Sequence, residues 1–298
     1  MKTRHKEYPN TVFMVFAALS FLLIAAITEA SPTAAGETAA AAAFPVFRRY
    51  FRRGHLARRP IEAAENIFNQ LRVWRSERRE RFDERFGTTT EGIIYPVQSP
   101  AEDAKDIHPY AATPAWLVHR ALASLAIDPK QFSFVDLGAG KGRALMVASE
   151  FAFSKIVGVE ISKEFCQLAS ENMNRYLASR GGGAPFMLCC VDAADYEFDD
   201  APLVVFLFNP FGRNTLSNVL SNLEHSLRRR PREVFVIYIN PRFEKMLQRS
   251  ALFKKIASDG SWLRPWRRYV VYQARRQLLI TARGNAAMRA VSGAALNV

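Results

Sequence analysis

Three glycines at alternate positions follow a short apolar run in the sequence FVDLGAGKGR, residues 134–143. Alternate glycines remove Cβ atoms where a chain turns sharply and where a ligand approaches the backbone closely. The glycines are Gly138, Gly140 and Gly142, and Asp136 precedes them by two residues. The spacing predicts a ligand-binding loop, and its neighbours decide which ligand is favoured.

Two phosphate-binding loops fit this pattern poorly. A P-loop needs Ser or Thr after its lysine to bind magnesium, whereas Gly142 follows Lys141. A dinucleotide-binding loop needs a third glycine where this chain has Arg143, and the carboxylate of Asp136 would face a pyrophosphate unfavourably. A triphosphate is therefore disfavoured, an NAD(P)-dependent oxidoreductase is kept as an alternative, and a ligand with cationic groups is favoured.

Seven short runs rich in apolar and β-branched residues alternate with helix-like stretches from residue 132 onward. The runs are FSFVDLG, KIVGVEI, FMLCCVDA, LVVFLFNP, EVFVIYIN, residues 253–257 and residues 268–274. Strands buried on both faces read as continuous apolar runs, and their alternation with helices is typical of a doubly wound sheet. The sequence predicts an α/β, Rossmann-like fold with a mostly parallel seven-stranded sheet and helices on both faces. Ligands bind such sheets outside the carboxyl ends of the strands.

The glycine loop and the acids after it resemble the class I S-adenosylmethionine-dependent methyltransferases, over residues 110–272. The likeness is carried by D-L-G-x-G-x-G at 136–142 and by the next predicted strand, which ends in Glu160. It implies S-adenosylmethionine as cofactor, with the loop at its methionine moiety, Glu160 at both ribose hydroxyls and Asp192 at the adenine amine. The implied cofactor-binding residues are Asp136, Gly138, Ala139, Gly140, Gly142, Glu160, Ile161, Asp192, Ala193 and Asn209.

The fourth predicted strand ends in Asn209, Pro210 and Phe211. This end resembles the N-P-P-[YF] loop by which some methyltransferases hold a planar amine, although a single proline is present here. The likeness implies that the Asn209 side chain and the Pro210 carbonyl orient an unprotonated amine. Phe211 and Tyr110 would exclude water and favour the neutral amine.

A partial likeness to lysine methyltransferases of the ATP-synthase c-subunit type extends upstream of the loop. Tyr110 and Pro114 precede the glycines and Arg143 follows them, with the spacing Y-x-x-x-P instead of Y-x-P. The same overall pattern occurs in bacterial methyltransferases of unassigned substrate. A protein lysine is the favoured acceptor, RNA or a small molecule are alternatives, and no metal is expected because the five histidines are scattered.

The basic N-terminal region bears on association and location. The formal charge of +13 suits an anionic partner, and much of it lies in the Arg-rich stretch 44–86, predicted as one or two amphipathic helices.

Residues 1–30 contain an apolar run at 11–27 that fits a signal peptide, a membrane anchor or a start codon assigned too far upstream. Because S-adenosylmethionine is made in the cytosol, we expect a cytoplasmic domain, with a tether through 11–27 as an alternative. A non-catalytic module that binds RNA or an anionic membrane through 48–85 is the remaining hypothesis.

The other segments complete the predicted organisation. Residues 31–43 consist largely of Ala, Thr, Pro and Gly and are predicted to be a linker, the methyltransferase domain spans 87–278, and 279–298 is predicted to be a flexible tail. Within the domain, 87–114 is predicted to be a covering loop, followed by a helix that Thr113 would cap.

The three cysteines, Cys166, Cys189 and Cys190, lie in apolar patterns with no metal-like spacing. We therefore expect all three to be reduced residues of the core.

Overall fold

The computed structural model describes residues 80–94, 108–260 and 268–275. All of them belong to one compact unit, Arg75–Val298. The predicted signal or anchor segment, the linker, most of the Arg-rich segment and the C-terminal tail lie outside the described residues.

Seven strands form one mixed sheet, and two short strands form a separate antiparallel ladder. The strands are β1 Ile93–Ile94, β2 Tyr110–Ala111, β3 Ser133–Leu137, β4 Lys155–Val159, β5 Phe186–Cys189, β6 Leu203–Phe208, β7 Val234–Ile239, β8 Phe253–Asp259 and β9 Tyr269–Ala274. The sheet order is β5-β4-β3-β6-β7-β9-β8, with β9 antiparallel to both of its neighbours and the pairs from β5 to β7 parallel. Strand order reverses at β3, so the carboxyl ends of β3, β4 and β6 border the crevice in which such sheets bind ligands.

Helices cover both faces of this sheet. They are α1 Phe82–Phe86, α2 Ala115–Ala123, α3 Arg143–Ala148, α4 Lys163–Ser179, α5 Arg213–Arg229 and α6 Glu244–Arg249. Alternate residues of a strand point to opposite faces, and in β3 Val135 and Leu137 join one hydrophobic cluster with Leu216 of α5. Phe134 joins a second cluster with Leu145 of α3. The predicted doubly wound α/β fold is confirmed, because its central strands are buried on both sides.

The segment before the sheet differs from the prediction in two details. Residues 87–114 were expected to be loop throughout, but β1 pairs with β2 in register Ile94 to Tyr110. The expected Thr113 cap is wrong: Pro114 stands at the N-cap without a side-chain hydrogen bond. The Glu80 carboxylate accepts the Ala115 backbone N–H at 3.0 Å instead, a partner too distant in sequence for a local capping rule to find.

The expectation of three reduced cysteines is also wrong. Cys166 in α4 and Cys190 after β5 form a disulfide, and Cys189 is the free cysteine. The pairing follows from packing, because α4 returns the chain to β5 and brings residues 24 positions apart in sequence together.

Within the described ranges, no helix is both long and apolar enough to span a bilayer. In the same part of the chain, no group of three or more His, Cys, Asp or Glu side chains is arranged to hold a metal ion.

Candidate active site

The glycine loop between β3 and α3 is held against β4 and against two residues from outside the sheet. The Gly138 and Ala139 N–H groups donate to the Val159 carbonyl at 2.8 and 3.0 Å. Gly138 and Gly140 have φ of +80° and +54°. A Cβ on Gly138 would lie 2.3 Å from Cβ of Pro210, and one on Gly140 would lie 2.4 Å from the Tyr110 ring. Glycine is required here both by backbone conformation and by close contact.

Glu160 anchors the loop from the end of β4. One of its carboxylate oxygens accepts the Gly140 N–H at 2.8 Å, and the other accepts the Ser162 N–H at 2.9 Å. The side chain is buried. A carboxylate offers about four lone-pair sites, so both oxygens can still accept from a ligand. The predicted contact with ribose hydroxyls is compatible with this geometry and stays a prediction.

Asp136 is a buried acid without an ion-pair partner in the part of the chain that the structure describes. Its exposed fraction is 3%. Burial, and then the charge of Glu160, raise the pKa of Asp136 to about 8. Because a buried negative charge is costly when it is alone, this position favours a ligand that brings a positive charge.

The third acid lies beyond β5. Oδ1 of Asp192 accepts the Ala194 N–H at 2.8 Å and caps the short 3₁₀ helix Ala193–Asp195. Two large apolar side chains near these acids are unusually exposed, Ile161 at 52% and Val191 at 42%. Ile161 directly follows Glu160 and Val191 directly precedes Asp192. Exposed apolar side chains beside hydrogen-bonding acids suit a flat ligand such as adenine.

Asn209, at the end of β6, is fixed by two residues that the sequence did not single out for the site. His108 Nδ1 lies 2.8 Å from the Asn209 carbonyl oxygen and 3.1 Å from the Asn209 side-chain nitrogen. The Tyr238 hydroxyl donates to Asn209 Oδ1 at 3.3 Å. Asn209 itself has a φ of +44°, a conformation that non-glycine residues adopt uncommonly and that asparagine tolerates better than most.

Tyr110 lies over the glycine loop, as a covering residue should. Its ring meets Gly140, and the Phe165 ring lies 5.1 Å away, centroid to centroid. The Tyr110 hydroxyl donates to the Thr90 carbonyl at 2.6 Å. The ammonium group of Lys141 lies 5.1 Å from the centre of the same ring. Tyr110 therefore closes one side of the loop.

Phe211 is placed differently from the other predicted acceptor residues. It is 8% exposed and packs in the hydrophobic cluster that contains Leu216. Pro210, in contrast, contacts Gly138 directly. The structure thus brings Asn209, Pro210 and Tyr110 to the glycine loop, while stacking of Phe211 on an acceptor stays a prediction.

The two cationic side chains of the loop are both engaged by residues 80–91. Lys141 Nζ donates to the Glu91 carbonyl at 3.1 Å. Arg143, where a dinucleotide loop has its third glycine, is 3% exposed and forms ion pairs with Glu80 and Asp83. These contacts hold both cationic side chains against residues 80–91, where they do not serve to bind a pyrophosphate. This arrangement agrees with a ligand that lacks phosphate.

The sequence contained weak signals for the residues it missed. His108 stands two positions before Tyr110, and Tyr238 is a hydroxyl-bearing residue near the carboxyl end of the apolar run VFVIYI. Polar atoms near the carboxyl ends of parallel strands are candidates for a site. Asp83 carried no signal, because its partner Arg143 is 60 positions away.

The fold and site together define a doubly wound α/β protein with a glycine loop flanked by acids at successive strand ends. No family model and no curated protein sequence matches the chain. Among solved structures, it is similar to a ribosomal protein L11 methylase from Lactobacillus delbrueckii subsp. bulgaricus, at 17% identity and a TM-score of 0.39 over 61% of this chain and 90% of that one.

Two further solved structures show a comparable likeness. A methyltransferase from Geobacter sulfurreducens is 16% identical with a TM-score of 0.39, covering 55% of this chain and 80% of that one. An rRNA methylase from Streptococcus thermophilus is 14% identical with a TM-score of 0.36, covering 56% and 98%. At this level of identity the likeness concerns the fold alone, so function has to come from the chemistry of the site.

Proposed function

We propose that this chain is an S-adenosylmethionine-dependent methyltransferase that acts on an amine-like nitrogen, with a protein lysine as the favoured acceptor. The observation that carries the proposal is the placement of three acids at or just beyond the carboxyl ends of the neighbouring strands β3, β4 and β5. Asp136 lies in β3, Glu160 follows β4 and Asp192 follows β5. Acids in these positions repel phosphates and attract ammonium, hydroxyl and amine groups.

The residues present fit this cofactor group by group. Buried Asp136, with its raised pKa, would pair with the amino group of the methionine moiety. Glu160 would accept from the ribose hydroxyls. The exposed side chains of Ile161 and Val191 would contact the adenine, with Asp192 beside its amine.

Methyl transfer depends on the positioning of the reacting groups more than on acid–base catalysis. When bound, S-adenosylmethionine supplies a methyl group attached to a sulfonium. The S–CH3 bond breaks during the transfer, and the sulfur leaves as a neutral thioether. The acceptor nitrogen forms the new N–C bond and must lack a proton on its attacking lone pair. Asn209 and the Pro210 carbonyl would orient that nitrogen beside the glycine loop, and Tyr110 would exclude water from one side.

Calorimetry with S-adenosylhomocysteine on the full chain tests the cofactor assignment. We expect Asp136→Asn and Glu160→Gln to weaken binding by at least about tenfold, since each removes a charged partner. Asp128→Asn is the matched control, because Asp128 caps a short 3₁₀ helix before β3. Absence of binding by the wild type, or equal binding by all four proteins, would overturn the proposal, and tight NADH binding would support the oxidoreductase alternative.

The acceptor is tested by methyl transfer from a labelled cofactor into a cell extract. After incubation, the protein, RNA and small-molecule fractions are separated and counted. We expect label in the protein fraction, recovered as methyl-lysine after acid hydrolysis, and expect Asn209→Ala to abolish it. Label confined to RNA or to small molecules would reject the lysine acceptor while retaining the methyltransferase.

A further inference from the structure

We propose that residues 80–94, which we call the strap, are a positioning element that fixes Tyr110 over the glycine loop and thereby sets the affinity for the cofactor. The inference rests on the proposed function, since it concerns the same cofactor site. It is carried by a buried polar network that joins the strap to the loop through Arg143, Asn172 and Tyr110, in addition to the hydrogen bond from Lys141 to the Glu91 carbonyl.

The strap is folded around the carboxylate of Asp83. Its Oδ1 accepts from the Thr88 and Thr90 hydroxyls, each at 2.6 Å, and its Oδ2 accepts the Glu91 N–H at 2.6 Å. Burial alone would raise the pKa of Asp83, but these hydrogen bonds and the charge of Arg143 hold it below the ordinary value. The carboxylate is therefore charged at neutral pH and fixes the shape of the strap.

Arg143 provides the first attachment, directly after the glycine loop. Its Nε donates to the Thr90 hydroxyl at 2.6 Å, and its guanidinium pairs with Asp83 at 3.5 Å and with Glu80 at 3.7 Å. The guanidinium also lies 4.8 Å from the centre of the Phe82 ring. A buried charge held by several partners is costly to disconnect, so the first residue of α3 and the strap are held together.

Asn172 of α4 provides the second attachment. Its Oδ1 accepts the Thr89 N–H at 2.9 Å, and its Nδ2 donates to the Lys141 carbonyl at 3.0 Å. The Asn172 side chain is fully buried. One amide thus bridges the strap and the glycine loop.

Tyr110 is the third attachment and the one that reaches the site. Its hydroxyl donates to the carbonyl of Thr90, the residue whose side chain lies between Arg143 and Asp83. The Tyr110 ring covers Gly140. Thr90 therefore acts on the cofactor site through Tyr110, and it is a positioning residue.

A double-mutant cycle on the full chain tests this coupling. Thr90→Val removes the hydroxyl but keeps the carbonyl that Tyr110 uses, and Tyr110→Phe removes the hydroxyl but keeps the ring. We expect each to weaken S-adenosylhomocysteine binding about 3- to 10-fold, the usual effect of one hydrogen bond. The double variant should lose less than the product of the two, because the two groups act as one unit.

Three further measurements separate positioning from general loss of stability. Thr90→Ser restores the hydroxyl and should regain wild-type affinity. Ser226→Ala is the matched control: Ser226 in α5 is buried, its hydroxyl accepts a hydrogen bond from the Arg232 guanidinium at 2.9 Å, and the substitution should leave affinity unchanged. In turnover assays the KM for the cofactor should rise in Thr90→Val while kcat changes by less than about twofold, as expected when binding alone is weakened.

The outcomes distinguish the two proposals. A wild type that fails to bind S-adenosylhomocysteine rejects the proposed function. A wild type that binds, together with strap variants of unchanged affinity or with strictly multiplicative losses, rejects the strap as a positioning element. If Thr90→Val does not fold, Tyr110→Phe alone decides: wild-type affinity in that variant overturns the inference.

Discussion

The buried carboxyl group of Asp136 in β3 lies near Glu160, which follows the neighbouring strand β4, and burial together with the charge of Glu160 raises the pKa of Asp136 to about 8. Glu160 is stabilised by two backbone N–H groups, whereas Asp136 forms no ion pair within the described residues. Glu160 can therefore accept hydrogen bonds from a ligand, whereas Asp136 is a carboxyl group that a cationic ligand would ionise.

Cofactor binding should release a proton from Asp136. At pH 7 a group with this pKa is mostly protonated, and an ammonium beside it would lower the pKa, so binding should release up to about 0.9 proton. Calorimetry in buffers of different ionisation enthalpy measures this number directly. Affinity should also rise about tenfold from pH 6 to pH 7.

The same shift affects the stability of the free protein in the opposite sense. The folded pKa is raised above the ordinary value of 3.8, so the contribution of Asp136 to stability is largest below that value and is lost as the pH rises toward 8. Asp136→Asn is the control for both effects. Proton release that persists in this variant would assign the release to another group.

Replacement of Gly140 by alanine should damage the site beyond its effect on the backbone. A Cβ there would lie 2.4 Å from the Tyr110 ring at a φ of +54°, whereas one on Gly181, at a φ of +78°, would meet nothing within 4 Å. Both substitutions force alanine into the left-handed region, at about 1–2 kcal/mol. We expect both to lower stability in urea titrations, and only Gly140→Ala to weaken S-adenosylhomocysteine binding, by more than about tenfold. Equal affinities in the two variants would remove the close contact as the cause.

Loss of the Tyr238 hydroxyl should slow methyl transfer. Burial raises the pKa of Tyr238 to about 12, so the phenol stays protonated at neutral pH and donates to Asn209 Oδ1 at 3.3 Å. Tyr238→Phe removes the donor that orients the Asn209 amide. We expect kcat to fall about 3- to 10-fold, with little change in the KM for the cofactor. Steady-state assays of methyl transfer to the extract fraction that takes up the label measure both constants.

A neighbouring tyrosine supplies the control for that experiment. Tyr272 is as deeply buried as Tyr238, but its hydroxyl donates to Glu244, not to Asn209. Tyr272→Phe should therefore leave kcat unchanged, even if it lowers the free energy of unfolding as much as Tyr238→Phe does. A similar loss of kcat in both variants would mean that the effect of Tyr238→Phe is structural.

How much the sequence predicted depends on the range of the contacts involved. The strands were predictable because runs such as VFVIYI are buried on both faces, and the glycine loop because its spacing is local. The orientation of Phe211 was not predictable, because an aromatic next to a strand end can turn either to the ligand or to the core, and here it packs in the hydrophobic cluster that contains Leu216; its contact with an acceptor stays a prediction. The link between Asp83 and Arg143 spans 60 positions, which no periodicity reveals.

The disulfide between Cys166 and Cys190 gives the last prediction. It joins the first turn of α4 to the segment that leads from β5 to Asp192. The cross-link therefore lies near Asp192, the residue proposed to contact the adenine. A cross-link of this length typically stabilises a fold by about 2–4 kcal/mol. Cys166→Ser should lower the free energy of unfolding by that amount in urea titrations without reductant.

Cys189 allows a direct check of the pairing. Burial raises the pKa of its thiol, so the reactive thiolate is scarce at neutral pH and alkylation of the native protein should be slow. After denaturation without reductant, alkylation should modify Cys189 alone, and reduction should add Cys166 and Cys190 in the peptide map. Cys189→Ser should keep the cross-link and the full stability, because it leaves both bonded sulfurs in place. Labelling of all three cysteines before reduction would show that the thiols are free, and the stability difference between the two serine variants would then have to come from packing alone.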